Sequence, residues 1–462
     1  MIAIGLHRPA MRYQGVSPGV VLLLISLGLN IGWAVAVKPL NAVDEPAHLQ
    51  AILQVRNQHI LPEVHFRFDQ DPAGIVANTP VDDAARDYAI HLGYSRPPLL
   101  LWPYEGRQPP LYYIVAGLVA RIVPADPAAV LYAGRGVAAL FGALAVYYCW
   151  ATTRQLAPCS PRLALAVGGF VALLPQFCCD SAAASNDSTI NWLSAASFYV
   201  WCRGLREPRY DPWLLRAGAL FGLAILAKLS ALALLPGLVF VVLFRSRQGV
   251  VGSGRGLRQW LRQIPPLGLS VAGAALAVCG WWLARNALIY GEPTGSLDLL
   301  RFSRGHFNPI DFQYFGNANL FLTWTVQNFW GTFGWTTIQL PGEYYRLSNV
   351  LGMVLIALTG IAVVGAARRM WERTIAVYTV QIGVAMAAST GTLLLGFLQY
   401  NTIISFHPHT RFLFPVLLPI ALCMLGGLAA LAPRRFQTLA FAVPILWLAI
   451  LNAVGLVLVL RT

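Results

Sequence analysis

Long apolar runs recur along the chain with short polar gaps between them. They cover residues 18–37, 130–150, 162–180, 188–203, 213–227, 229–244, 265–286, 349–367, 374–397, 412–431 and 437–460. A helix rising about 1.5 Å per residue needs roughly 20 apolar residues to cross a hydrocarbon core of ~30 Å. The pattern therefore predicts eleven crossings. The stretch 213–244 is too long for one crossing and is basic at both ends, so it is read as two spans meeting at Lys228–Leu229. Spans that short only just reach through a bilayer. They are expected to be recessed, leaving Lys228 in a cavity.

A further run, 109–123, is short and carries Arg121. Parity decides its role. His7, Arg8 and Arg12 place the N-terminus inside, because inner loops collect basic residues. The run 18–37 then exits, loop 38–108 is outside, and the Arg154–Arg162 gap returns inside. An odd number of crossings must separate the last two, so 109–123 is read as a helix lying in, or re-entering, the outer leaflet. Every later basic gap then falls inside and the C-terminus ends outside. Two full crossings here would invert all later spans and put the Arg-rich 245–262 loop outside.

Within loop 38–108, Pro46 suits the first turn of a helix. Leu49, Ile52, Leu53 and Ile60 follow near helical spacing, which predicts an amphipathic helix over 46–60 on the outer membrane surface. Residues 80–92, with Asp82, Asp83 and Asp87, predict another short helix. The expected class is all-α: a polytopic transmembrane bundle of about eleven spans plus a re-entrant or interfacial helix. Its parts are a membrane module over 1–286 with the outer loop 38–108, a second outer loop over 287–348, and C-terminal membrane helices over 349–462.

Composition agrees. The chain is 57% hydrophobic and 11% charged, against about 25% charged in soluble domains; too few charges remain to cover a soluble surface. The net charge of +14 is not a nucleic-acid footprint, because the arginines cluster in the short gaps 154–162, 203–209, 245–262, 368–373 and 434–435. The two longest polar gaps are slightly acidic: 38–108 holds six Lys/Arg and nine Asp/Glu, and 287–348 holds three and four. Six of the seven cysteines lie in apolar runs and none lies in the outer loops, so no disulfide framework is implied and the thiols act as small apolar residues. The first run is long enough to span and lacks a small-residue cleavage site, so it reads as an anchor, not a cleaved signal.

On this topology several uncommon polar groups share the outer side: Asp44, Glu45 and His48 after the first span, Asn186–Asp187, Lys228, Arg285–Asn286, and His407, His409 and Arg411. Ionisable groups at membrane depth are costly and usually functional. Acidic positions beside several cations suit a reaction centre for an anionic, membrane-borne substrate. Each group also has an ordinary reading. Asp44 and Glu45 favour a helix N-terminus, Asp187 can cap the next helix, Lys228 can snorkel, and Arg411 can anchor at the interface. Lys38 and Lys228, the two lysines of the chain, both fall outside, against the usual bias. Phe329, Trp330, Phe333 and Trp335 are read first as an interfacial belt and second as a sugar platform. There is no P-loop, no GxGxxG after a strand and no HExxH, so nucleotide-dependent chemistry is unsupported.

Asp44-Glu45-Pro46-Ala47-His48 after a first span resembles the acidic motif of the GT-C glycosyltransferases, integral membrane enzymes that use polyprenyl-phosphate-linked sugars. Gln108-Pro109-Pro110-Leu111-Tyr112-Tyr113 resembles the segment that closes their first outer loop. Asn186-Asp187 after Pro175 resembles their second acidic site, and Ala227-Lys228-Leu229-Ser230 their short helical pair with a central Lys. His409-Thr410-Arg411-Phe412-Leu413-Phe414-Pro415 resembles a late Gly-Arg-Tyr motif, with Thr410 in the Gly position. Phe329-Trp330-Gly331 with Phe333-Gly334-Trp335 is similar to a stretch in a bacterial subgroup of predicted membrane proteins.

The resemblance implies sugar transfer from a polyprenyl-phosphate donor to a glycan, lipid or protein acceptor of the envelope, at the outer face of a bacterial plasma membrane. Arg411 and Lys228, assisted by His407 or His409, are expected at the phosphate. Asp44 is expected as the base, with Glu45 or Asp187 orienting it or holding a divalent cation. His48, Asn186 and Tyr112 are expected to bind or orient the acceptor. A polysaccharide polymerase or ligase, a lipid or solute transporter without chemistry, and an inactive scaffold are the competing classes.

Overall fold

The computed structural model describes residues 17–58, 61–62, 81–94, 104–207, 212–248, 257–297, 310, 315–371 and 377–462. It is a helical bundle. Its first half runs α1 Pro18–Ala36, α2 Glu45–Leu53, α3 Asp83–His91, α4 Leu111–Ala120, α5 Pro127–Leu156, α6 Pro161–Leu173, α7 Pro175–Ala182 and α8 Asp187–Arg206. The second runs α9 Pro212–Ala227, α10 Leu235–Gln248, α11 Leu257–Tyr290, α12 Phe315–Trp330, α13 Gly342–Trp371, α14 Val377–Gln399, α15 Leu417–Leu431 and α16 Gln437–Leu460. Its outer wall is apolar: Leu24, Leu269, Val364 and Leu439 are exposed on α1, α11, α13 and α16. This is the pattern of a bundle solvated by lipid.

Among the described residues, eight helical segments are long and apolar enough to cross a membrane, or nine with one bent pair. Asp187–Arg206 is long but polar in makeup, and Pro212–Ala227 is apolar but sixteen residues long. The run 162–180, expected as one crossing, is the bent pair, with a 58° angle between Pro161–Leu173 and Pro175–Ala182. Pro175 forces this, since the residue before proline is driven out of the α region; Leu174 is extended, with φ −65° and ψ 114°. The 213–244 stretch divides at Lys228 as expected, whose extended backbone leads into a short 3-10 turn over Leu229–Leu234.

Close helix approach rests on small residues. A methyl group on Gly218 or Gly222 of α9 would lie 2.3 Å from the Val271 carbonyl or 2.6 Å from that of Ala275 on α11.

The described parts of the Arg-rich gaps 154–162, 203–209, 245–262 and 434–435 meet at one end of the bundle. Arg162 donates to the Arg434 carbonyl, Arg206 to Gln155 Oε1, and Gln248 to the Leu205 carbonyl. The acidic motifs gather at the opposite end, beyond the C-terminus of α1 and the N-termini of α5 and α8. The sequence 109–123 yields α4, a ten-residue helix too short to cross, packed on α2 and α5. That fits the parity argument.

Two expectations are corrected here. The helix expected over 46–60, of which residues 59–60 lie outside the described residues, does not lie on a surface: all nine residues of α2 are buried, and a short π turn, Gln54–Gln58, follows. Its Leu49, Ile52 and Leu53 pack in one core with Tyr112, Tyr113 and Val130, while His48 and Gln50 find polar partners, so neither face is left for lipid. Most of the Phe329–Trp335 stretch is not an interfacial belt, since Trp330 and Phe333 are buried, although Trp335 stays exposed. The stretch leads into an antiparallel hairpin, β1 Thr332–Phe333 and β2 Ile338–Gln339, that folds over the end of α1. Phe333 is fully buried, 4.8 Å between ring centroids from Trp33, and Trp335 donates to the Leu40 carbonyl. The hairpin turn places Gly334 at φ 61°, a conformation glycine adopts without steric cost. Five of the six apolar-run cysteines are buried, as expected, and Cys423 is exposed on α15.

Candidate active site

The turn between α1 and α2 is compressed. Leu40 and Asp44 both have left-handed backbones, φ 63° and 64°, a cost of roughly 1–3 kcal/mol each that surrounding contacts must offset. One such contact is a hydrogen bond from the Leu40 N–H to Glu45 Oε2, 3.1 Å long. The consequence is that consecutive carboxylates point in different directions.

Asp44 is bonded to Arg411 Nη2, and Arg411 Nη1 also donates to the Val43 carbonyl. The other flank of Arg411 meets Asp187 Oδ2 at 3.5 Å. Asp187 Oδ1 in turn accepts from Lys228 Nζ at 2.5 Å. Four segments that are far apart in sequence thus interlock as carboxylate–guanidinium–carboxylate–ammonium. Phe412 lies beneath both cations, 5.3 Å from Lys228 Nζ and 5.1 Å from the Arg411 guanidinium. Asp44, Asp187 and Arg411 are the predicted groups brought together most closely, and Lys228 joins them from the α9 junction.

A polar hollow opens beside this network. Asp187, Arg411 and His409 line it together with Gln176, Asp180, Asn328 and Thr336. His409 is held neutral: burial, then the nearby Arg411 and His407, push it down to about 3. His407 is lowered by burial too and bonds Ser405 Oγ at 2.6 Å. Both imidazoles therefore enter as neutral hydrogen-bonding groups, not as the cations a phosphate would pair with.

Glu45 and Tyr112 lie outside the hollow. Glu45 has no exposed surface; it takes Arg135 Nε on Oε1 at 2.8 Å and Arg135 Nη2 on Oε2 at 2.7 Å. The Ala184 N–H completes its Oε1 at 3.0 Å. Its oxygens are filled, so it clamps α2, α5 and the α7–α8 turn and has no lone pair to offer a substrate or a metal. Tyr112 donates to the Gly134 carbonyl on the same sealed side. Asn186 ends the α7–α8 turn, buried, with neither side-chain atom hydrogen-bonded among the described residues. Arg285 and Asn286 bond one another near Pro293 and stay outside the hollow.

His48 belongs to a third set. Its Nδ1 lies 2.8 Å from the Tyr113 hydroxyl, which lies 3.3 Å from Glu105 Oε2. Burial raises Glu105 to about 8, helped by the negative charge of Asp44, and burial lowers His48 to about 4. Tyr113 O–H donates to Glu105 Oε2, and the Tyr113 oxygen then accepts the proton of His48 Nδ1.

Arg135, Asp180 and Glu105 were not singled out from sequence. Arg135 carried a signal, a charge inside an apolar run, which at membrane depth implies a partner. Asp180 ends another such run. Glu105 sits in a polar loop, where nothing distinguishes it.

Among the described residues no three His, Cys, Asp or Glu side chains gather as a metal cage. The two carboxylates of the network already face two cations, a donor set that does not fit a divalent ion.

A family model described as dolichyl-phosphate-mannose-protein mannosyltransferase matches residues 107–279. ArnT from Cupriavidus metallidurans, solved bound to undecaprenyl phosphate, superposes with a TM-score of 0.50 at 15% identity, covering 96% of this chain and 75% of that one. The Archaeoglobus fulgidus oligosaccharyltransferase in its apo form gives 0.50 at 13% identity, covering 97% of this chain and 56% of that one. The chain thus spans little more than half the length of the archaeal enzyme. No curated protein matches significantly. The chain shares the GT-C-like helical fold of these two solved structures.

Proposed function

We propose that this protein transfers a sugar from a polyprenyl-phosphate donor to an envelope acceptor at the outer face of the membrane. The observation that carries the reading is the interlocked Asp44–Arg411–Asp187–Lys228 network beside a polar hollow, at the end of the bundle away from the arginine-rich gaps. The positive-inside bias supports reading that end as the outer one. ArnT is a structural relative crystallised with undecaprenyl phosphate, which supports the donor class.

The chemistry asks for few parts. The donor's C1–O bond to phosphate breaks, and the polyprenyl phosphate leaves with the electron pair. Arg411 and Lys228 stabilise that developing charge, which fixed cations in a water-poor site do strongly. The acceptor hydroxyl forms the new bond to C1 from the opposite face, inverting the anomeric configuration. Its proton passes to Asp44, the exposed carboxylate of the network.

The test is purified protein incubated with radiolabelled polyprenyl-phosphate sugars and an envelope extract. The expected result is label moving from the lipid fraction into an acceptor. Label that crosses vesicle membranes while staying on the lipid would instead establish a transporter.

A further inference from the structure

The hollow continues past Arg411 into a part that the charge network does not use. Helix α7, turned by Pro175, lays Gln176 and Asp180 along its floor. Gln176 is locked at both ends: its Nε2 donates to Asp180 Oδ1 at 2.9 Å, and its Oε1 accepts from the Thr332 N–H at 2.8 Å. The Asp180 carboxylate is therefore fixed in place through one oxygen. Its other oxygen, Oδ2, is buried with no hydrogen-bond partner among the described residues. No cation of the network comes within ion-pair distance of it.

An orphaned carboxylate oxygen is a defect unless a donor is brought to it. The facing wall shows what kind of donor. Asn328 accepts from the Thr410 N–H and hydroxyl at 2.6 and 2.8 Å and donates to Thr332 Oγ1 at 2.5 Å, so this wall is neutral, rigid and joined to Arg411 through Thr410. Thr336 adds a hydroxyl at the rim. Ala42 and Ala183 complete the lining. One fixed acceptor among neutral hydroxyl and amide groups, next to a guanidinium suited to phosphate, suits a single hydroxyl of a neutral polyol carried on a phosphate.

We propose that Asp180, oriented by Gln176, accepts a hydrogen bond from a hydroxyl of the donor's sugar ring and sets which sugar is used. The inference rests on the donor class proposed above. It assigns the two ends of one hollow: phosphate at Arg411, sugar at Asp180.

The experiment compares binding of undecaprenyl phosphate with that of undecaprenyl-phosphate mannose, glucose and arabinose, to wild type, Asp180→Asn and Gln176→Leu, each checked for folding by its thermal transition. Wild type should bind at least one sugar-bearing lipid about tenfold more tightly than the bare phosphate, the scale of one hydrogen bond. Both variants should bind the bare lipid phosphate as wild type does and lose that preference. Gln176→Leu keeps the test decisive if Asp180→Asn folds poorly, since it leaves the carboxylate and removes its anchor. An unchanged preference in either folded variant, or no preference in wild type, overturns this inference alone. Wild type that binds no undecaprenyl phosphate overturns the proposed function and this inference with it. A preference that moves only with the acceptor present assigns the subsite to the acceptor and overturns the donor assignment.

Discussion

Asp44 and Glu45 are joined by one peptide bond, and each meets an arginine, yet their surroundings could hardly differ more. The Glu45 carboxylate is wholly enclosed and receives four hydrogen bonds, two from Arg135 and two from backbone N–H groups. Arg135 is equally saturated, donating also to the carbonyls of Ala34, Val37 and Lys38. The Asp44 carboxylate keeps a quarter of its surface open, and its arginine is shared with Asp187, which a lysine also claims. A closed pair with every lone pair filled holds the chain in shape and can do nothing else. An open one, in which a cation divides itself between two acids, can exchange partners when an anion arrives. The left-handed backbone at Asp44 is what sends the two neighbours to opposite fates.

That contrast can be broken at several points. The largest expected effect is on turnover. Arg411→Ala should lower kcat for lipid-linked sugar transfer by about 10²–10³ per folded molecule, the scale for loss of a group that stabilises developing charge. An undiminished kcat would detach Arg411 from the chemistry.

Next comes stability. Glu45→Gln leaves Arg135 buried without its countercharge and should cost roughly 3–5 kcal/mol, read as a large drop in the thermal transition in detergent. A transition within a degree or two of wild type would show that the backbone carbonyls alone hold Arg135.

A smaller effect separates Glu105 from both acids. Burial lets the folded state hold this proton more tightly than the unfolded chain does. Its contribution to stability is full below about 4.5 and is lost as pH rises toward about 8,. Glu105→Gln should flatten the fall in thermal transition across that window. A wild-type slope in the variant would assign the titration elsewhere. The smallest effect belongs to Arg86→Ala, which removes a solvent-facing pair with Asp83 and should change stability by less than about 0.5 kcal/mol.

The long helices were legible because crossing a bilayer is a local demand, met within each run of residues. Parity and the placement of arginines were enough to demote 109–123 to a short helix, and α4 agrees. The bend at Pro175 is signalled by the proline alone, while the continuous apolar run 162–180 reads as one span. The burial of α2 could not be read, because its spacing of Leu49, Ile52 and Leu53 suits a membrane surface as well as a core. What decides between them is α5, some ninety residues away. Of the residues that the structure brings together, Asp44, Asp187, Lys228 and Arg411 stand out in sequence because charges near span ends contrast with an apolar background. Glu45 looked like Asp44 by the same test, and only Arg135 tells them apart. Asp180 and Glu105 gain their character from enclosure, which no local pattern records.

The most direct measurement is the transfer rate of Asp44→Asn, normalised to folded protein, beside wild type. The account predicts a loss of about 10²–10⁴ in kcat with a thermal transition close to that of wild type. A variant that transfers sugar at the full rate would contradict it, because the open carboxylate would then have no proton to take.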